Sequence, residues 1–195
     1  TSLTNGNANL AIGFESSKGL TIGAANISIG YKAMLNATAI SSAIFIGANA
    51  GDAITTSTEP NGAIGIGYNA LTGLTSGAKN TAVGYESGKS ITTASNSTLF
   101  GYQAGDAINT GSSNSAFGSS ALTANTSGIR NTAIGETSMQ SNTTGGYNVA
   151  VGRESLYRSQ TGSQNTAVGH SALNGVSGNS HSNNTAVGYS ALAGC

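Results

Sequence analysis

NTAVGYES, at residues 80–87, is the clearest copy of a motif that recurs along the whole sequence. Related strings begin at Asn131 (NTAIGETS), Asn165 (NTAVGHSA) and Asn184 (NTAVGYSA). Each copy is centred on one glycine, here called the anchor glycine, and positions are counted from it. Most anchor glycines are 17 residues apart, and a fixed period of this kind is typical of stacked structural repeats. The eleven anchors are Gly13, Gly30, Gly47, Gly67, Gly84, Gly101, Gly118, Gly135, Gly152, Gly169 and Gly188.

Each position around the anchor glycine keeps its own chemistry. Position −4 is Asn in eight of the eleven units, position +2 is always polar, and position +3 is always Ala or Ser. We therefore expect position +2 to face water and position +3 to make a tight contact. Position −1 is always large and apolar, so its side chains are predicted to be buried in the core. The residues at position −1 are Ile12, Ile29, Ile46, Ile66, Val83, Phe100, Phe117, Ile134, Val151, Val168 and Val187.

The segment from the Asn to the anchor glycine is short and rich in β-branched residues, which indicates a strand. Asn and Gly at its two ends tolerate left-handed backbone angles, so both are predicted to form corners. A Tyr-x-Ala-Leu stretch and a polar segment then close the unit, giving one or two strands per coil. The sequence predicts an all-β fold: a parallel β-solenoid of eleven coils of about 17 residues, forming one repeat domain over residues 1–195.

Two departures from the pattern support this interpretation. The longer spacings place extra residues near 58–60 and 179–183, before position −4 in both cases, as expected for loops on one side of a stack. Four units lack a large residue at position +4 and carry a large aliphatic at position +7, so the two positions are predicted to fill one space. The pairs are Ser17 with Leu20, Gly51 with Ile54, Gly88 with Ile91, and Gly105 with Ile108.

Composition excludes several classes of function. Charged residues make up 7% of the chain and the net charge is zero, so neither nucleic acid nor an anionic membrane is an expected partner. No apolar run approaches the roughly 20 residues of a membrane span.

The single Cys195 cannot form an intrachain disulfide. The chain ends at Ala191–Cys195 without a polar cap, and we expect it to be a fragment of a longer fibre.

No constellation of catalytic or metal-binding residues is visible, so we expect no enzyme activity, no cofactor and no metal. His170 stands in a column of tyrosines, and His181 lies in a Ser/Asn-rich insertion. Asp52 and Asp106 share the string Ala-Gly-Asp-Ala-Ile, where an aspartate that stabilises a turn is favoured over a cation site. Glutamates at position +2 lie several coils apart: Glu15, Glu86 and Glu154.

The balance between burial free energy and backbone entropy in a single coil favours association of several chains. A coil supplies about two large apolar side chains, each contributing roughly 1.5–3 kcal/mol when buried. Ordering each residue costs on the order of 1–2 kcal/mol in backbone entropy. The small residues at position +3 would let neighbouring backbones approach closely. We therefore expect a homotrimer packed around a shared axis, with a monomeric solenoid held by backbone ladders and stacked Asn as the competing interpretation.

The string Asn-Thr-Ala-Val-Gly-Tyr-x-Ala-Leu resembles the head repeats of trimeric autotransporter adhesins and, more closely, the repeats of phage tail fibres and related surface proteins. The shared features are Val or Ile at position −1, Ala at position −2 and Asn at position −4. The resemblance implies a left-handed parallel β-roll that trimerises. It covers essentially the whole chain, more weakly around Gly47 and Gly67.

The leading functional hypothesis is an extracellular fibre segment of a viral tail fibre or bacterial surface adhesin. Its partners would be copies of itself and a cell-surface glycan or protein receptor. The surface contacts are predicted at Tyr31, Tyr68, Tyr85, Tyr102 and Tyr189, together with the two insertions. Two alternatives stay open: a self-assembling extracellular filament, and an ice-binding solenoid. The latter is suggested by hydroxyls in register at Thr81, Thr98, Ser115, Thr132, Thr166 and Thr185.

Overall fold

The computed structural model describes residues 6–55, 60–175 and 181–194. Over these ranges the chain forms a parallel β-solenoid, in which eleven strands make one sheet in sequence order. Each strand is three residues long. The strands are β1 (Leu10–Ile12), β2 (Ile27–Ile29), β3 (Ile44–Ile46), β4 (Ile64–Ile66), β5 (Thr81–Val83), β6 (Thr98–Phe100), β7 (Ser115–Phe117), β8 (Thr132–Ile134), β9 (Val149–Val151), β10 (Thr166–Val168) and β11 (Thr185–Val187). The predicted all-β solenoid is therefore confirmed.

Strand register follows the anchor glycines throughout. Thr132 pairs with Val149 across the regular 17-residue spacing, and Ile44 pairs with Ile64 across the longer one. The extra residues therefore leave the ladder in phase, because they lie in the turn segment between strands. Residues 58, 59, 179 and 180 of the two insertions lie outside the described residues. So does Cys195.

The core lies behind the middle residue of each strand, and the prediction that position −1 forms the core is wrong. Positions −3 and −1 share one side of a three-residue strand because side chains alternate, and that side points away from the interior. None of the eleven residues at position −1 is buried. Position −2 points inward and is buried from β2 onward. It is Ala in most coils because the interior of each coil is narrow.

Positions +4 and +7 fill one space, as predicted. Leu20, Ile54, Ile91 and Ile108 are all buried in the core cluster. A Cβ placed on Gly105 would stand 2.7 Å from Cδ1 of Ile108, and one on Gly88 would stand 3.1 Å from Cδ1 of Ile91. In the coil that contains Leu122, the large side chain at position +4 is buried, and position +7 carries Asn125. Core volume is thus exchanged between these two positions in the coils of Gly88 and Gly105, whereas Phe45 fills the space at Gly51.

A buried ladder of asparagines at position −4 joins neighbouring coils wherever the repeat carries Asn there. The side chain of Asn131 donates a hydrogen bond to the Gly145 carbonyl (2.8 Å), and its Oδ1 accepts one from the Asn148 backbone N–H (3.0 Å). Asn114, Asn148 and Asn165 repeat this pattern. The ladder satisfies backbone groups that would otherwise be buried without partners.

The backbone corners differ in part from the predicted ones. The anchor glycines do adopt positive φ, between 125° and 139°. The Asn at position −4 does not, and the residue before it takes the left-handed angle instead, as Arg130 does (φ 55°). The Tyr-x-Ala-Leu stretch forms turns rather than a second strand, with left-handed angles at positions +2 and +4. Each coil therefore contributes one strand and a chain of tight turns.

Candidate functional site

The outward side of the sheet is the first candidate surface. It is formed by positions −3 and −1 of the eleven strands and is called the outer face below. Position −1 gives a continuous row of large apolar side chains, of which Ile134 is 41% exposed. Phe100 and Phe117 stack on this face with ring centroids 5.3 Å apart. Neither position carries a charged residue in any coil. The outer face is thus an uncharged, largely apolar strip along the sheet.

The second candidate surface is the row at position +1, called the aromatic ladder below. It contains every tyrosine that the sequence singled out, and all five side chains are exposed. Tyr68, Tyr85 and Tyr102 stack in a continuous run, with centroids 5.2 and 5.4 Å apart. The full row is Phe14, Tyr31, Ala48, Tyr68, Tyr85, Tyr102, Ser119, Glu136, Arg153, His170 and Tyr189.

Self-stacking limits what the aromatic ladder can offer to a ligand. Both ring faces of Tyr85 are covered, by Tyr68 on one side and Tyr102 on the other. An incoming ring cannot stack on Tyr85 without separating these neighbours. The continuous run therefore presents ring edges and hydroxyls, and between Tyr31 and His170 a ring face is left without a ring neighbour where the row is interrupted.

The row is interrupted in two places. Ala48 separates Tyr31 from Tyr68, and Ser119, Glu136 and Arg153 separate Tyr102 from His170. The longer interruption is polar, because Nε of Arg153 lies 3.2 Å from the Glu136 carboxylate. His170 resumes the ladder by stacking on Tyr189 at 5.2 Å, which confirms that it replaces a tyrosine in the column.

Ion pairs run alongside the ladder at position +2. Lys18 lies 2.6 Å from Glu15, and Lys89 lies 3.3 Å from Glu86. The pKa of Glu15 is lowered chiefly by its hydrogen bond from Lys18. The pKa of Glu86 is lowered first by the hydrogen bond that the Gln103 amide donates (2.9 Å). Position +2 was predicted to face water, and its side chains are half-buried among such contacts.

Asp52 and Asp106 occupy equivalent places at position +5. Partial burial raises the pKa of both carboxyl groups, against an opposing effect of Lys32 on Asp52 and of Lys89 on Asp106. Oδ1 of Asp106 is buried without a hydrogen-bond partner. The described part of the chain holds no group of three or more His, Cys, Asp or Glu side chains arranged to bind a metal ion.

His170 and His181 are not brought together as a site. The backbone carbonyl of His181 accepts a hydrogen bond from the Asn165 side chain (2.7 Å), whereas His170 belongs to the aromatic ladder. The described residues include no helix with the length and apolar character needed to cross a bilayer.

The outer face is the feature that sequence reasoning missed. The signal was present in the alternation of the strand, because Thr81 and its equivalents at position −3 must share a side with position −1. Position −1 lies on the same side of the strand as these threonines and opposite the mostly Ala position −2, which marks it as facing outward. Comparison with protein-family models, curated proteins and solved structures found no match to this chain.

Proposed function

We propose that this chain is a segment of a homotrimeric extracellular fibre, of the tail-fibre or surface-adhesin type, with a structural and adhesive role and no catalytic one. The observation that carries the proposal is the outer face. In a single chain it leaves a large apolar residue of every strand, the one at position −1, at least partly in contact with water. Contiguous apolar surfaces of this extent mark interaction sites.

Copies of the same chain are the occupants that suit this surface. All-parallel sheets are almost always covered on both faces, and here the inner face packs on the core while the outer face has no cover. A second copy has the same spacing of about 4.8 Å between strands, so its apolar row can mesh with this one along the whole sheet. The absence of charge at positions −3 and −1 removes the electrostatic cost of burying the face.

The resemblance of the repeats to adhesin heads and tail-fibre repeats supports three copies rather than two, together with a left-handed coil and a place on a virion or cell surface. The aromatic ladder and its ion pairs then form the receptor side. Tyr31, Tyr68, Tyr85, Tyr102 and Tyr189 are proposed to contact a cell-surface glycan or protein.

A matched pair of variants tests which surface joins the copies. Ile134→Lys places a charge on the outer face, whereas Gln160→Lys places the same charge at an exposed position of the turn segment. Native mass by light scattering is expected to fall to that of one chain for Ile134→Lys and to stay at three chains for Gln160→Lys. Equal masses for the two variants would show that the outer face is not the interface.

A second candidate function, ice binding, is favoured by one feature of the same face. Threonine hydroxyls at position −3, such as those of Thr81 and Thr98, lie side by side at the strand spacing next to a row of aliphatic groups. A flat, regular array of hydroxyl and methyl groups is suited to ordered water. Inhibition of ice recrystallisation by the parent chain, lost in Thr98→Lys and kept in Gln160→Lys, would support it. No inhibition by any form of the protein would exclude it.

A further inference from the structure

The aromatic ladder lacks one ring at Ala48. The backbone there keeps the ladder's register, because the Asn49 N–H donates to the Tyr31 carbonyl (2.9 Å) and the Asn69 N–H donates to the Ala48 carbonyl (3.0 Å). Ala48 therefore occupies the place that a tyrosine holds in neighbouring coils, with a methyl group where the ring would stand. The space above this methyl group, between Tyr31 and Tyr68, is called the slot below.

The slot has the depth of one ring. Tyr31 and Tyr68 are two coils apart, which separates them by about 10 Å at the usual spacing of strands in a sheet. Rings in adjacent coils of the ladder stack at 5.2–5.6 Å between centroids, so one six-membered ring placed midway would meet both tyrosines at the ladder's own distance. Among the described residues, this is the one interruption of the ladder that is a single coil deep.

The walls of the slot are fixed from behind. Phe14 stacks on Tyr31 at 5.6 Å, and Tyr85 stacks on Tyr68 at 5.2 Å. Each wall therefore uses one ring face for its neighbour in the ladder and turns the other toward the slot, where the Lys32 ammonium lies over the Tyr31 ring. The Tyr68 face needs no rearrangement to receive a ligand, whereas this ammonium must move aside or contact the bound group.

The rim of the slot is polar. Nζ of Lys32 lies 5.1 Å from the centroid of the Tyr31 ring, and Nδ2 of Asn49 donates to Oδ1 of Asn69 at 3.1 Å. Asp52 is close enough for the Lys32 charge to act on its pKa. The slot thus combines two aromatic walls with an ammonium group over one of them and amide groups beside it.

We propose that the slot binds a pyranose ring of a glycan, held between Tyr31 and Tyr68. The C–H groups on the two faces of the sugar would pack on the aromatic rings, and its equatorial hydroxyls would reach the rim at Lys32 and Asn49. A plain aromatic ligand would use the walls but not the rim. The choice of a glycan rests on the proposed adhesive function, whereas the slot itself rests on the geometry of this chain. A single sugar of this size is expected to bind with a dissociation constant on the order of 1 mM.

Two substitutions to tyrosine give a matched test. Ala48→Tyr supplies the missing ring and fills the slot, whereas Ser119→Tyr adds the same side chain at the end of the run that closes with Tyr102. Both residues stand at position +1, where tyrosine occurs in other coils, so both variants are expected to fold. Their thermal unfolding midpoints should be no lower than that of the parent chain.

Binding is measured by saturation-transfer NMR with methyl glycosides of glucose, galactose, N-acetylglucosamine and N-acetylneuraminic acid, and with phenol, at millimolar concentration. We expect transfer to the ring protons of at least one glycoside with the parent chain and Ser119→Tyr, and a loss of at least tenfold with Ala48→Tyr. Tyr31→Ala should lose transfer as well. Equal transfer to Ala48→Tyr and Ser119→Tyr, no transfer to any glycoside, or a stronger response to phenol would overturn the proposal.

The outcome can be separated from the fate of the fibre proposal, because native mass is measured on the same samples. If the protein is a trimer that binds no glycoside, the fibre proposal stands and the slot proposal fails. If it is a monomer whose glycoside binding is lost in Ala48→Tyr, the slot proposal stands and the fibre proposal fails.

Discussion

The carbonyl oxygen of Gly135 lies 2.6 Å from the point where a Cβ on Gly118 would stand. The same relationship joins successive anchor glycines along the solenoid, from Gly13 against Gly30 to Gly169 against Gly188. Two backbones approach here more closely than any side chain allows. The repeat is therefore anchored on glycine for a steric reason as well as for its positive φ.

Substituting an anchor glycine is expected to be among the most destabilising single changes. Gly118→Ala must move backbone atoms of the next coil and also adopts φ near 138°, so we expect a loss of about 3–5 kcal/mol in the free energy of unfolding. Gly62→Ala is the control. It also has positive φ (70°) but meets only Lys79 Cγ at 3.9 Å, so it should cost about 1–2 kcal/mol. Chemical denaturation of both variants checks this, and equal losses would contradict the steric account.

The shared space of positions +4 and +7 predicts a compensating pair. Ile108→Ala leaves a cavity and should cost about 2–5 kcal/mol, whereas Gly105→Leu alone overfills the same space and should cost about 1–3 kcal/mol. The double variant recreates an arrangement like Met34 with Ala37, both of which are buried. Its loss should be smaller than the sum of the two single losses by more than 1 kcal/mol. Additive losses in a double-mutant cycle would mean that the two positions do not share a space.

Substituting an asparagine of the buried ladder is expected to lower the free energy of unfolding much more than substituting an exposed polar residue. Asn131→Ala removes the bond to the Gly145 carbonyl and leaves the buried Asn148 N–H without its acceptor. We expect a loss of about 2–4 kcal/mol in the free energy of unfolding. Gln160→Ala, at an exposed position, should change it by less than about 0.5 kcal/mol. A loss below 1 kcal/mol for Asn131→Ala would show that the ladder contributes little to stability.

The two partly buried aspartates predict a pH dependence with a definite sign. Because burial raises the pKa of Asp52 and Asp106, the native state keeps these protons to a higher pH than the unfolded chain, where the pKa is about 3.9. Their contribution to the free energy of unfolding therefore falls as pH rises from about 3.9 through the raised pKa values, and stays low above them. Asp52→Asn with Asp106→Asn should be more stable than the parent chain at pH 7 and about equal to it at pH 3. A constant difference across this range would contradict the assignment.

The sequence predicted the solenoid, its eleven coils and the exchange of volume between Gly105 and Ile108, because these features recur in phase and each copy repeats the evidence. It failed at Ile134 and the other residues of position −1, where size was taken as a sign of burial. A monomeric globular chain buries its largest apolar residues, whereas here the interior of a coil has room mainly for alanine at position −2. The corner at Arg130 was also missed, since left-handed angles are seldom expected at such a residue. In the candidate site, the tyrosine column was found from the sequence, but the ring stacking and the slot at Ala48 depend on distances between coils.

The central claim is that the outer face joins three copies of the chain, and the native mass of the isolated protein tests it most directly. Light scattering coupled to size-exclusion chromatography, with and without reductant, measures that mass without assumptions about shape. The account predicts about three times 19.1 kDa, unchanged by reductant, because it attributes the association to the apolar outer face and not to Cys195. A mass near 19.1 kDa would contradict it, and masses that grow with concentration beyond three chains would point to a filament instead.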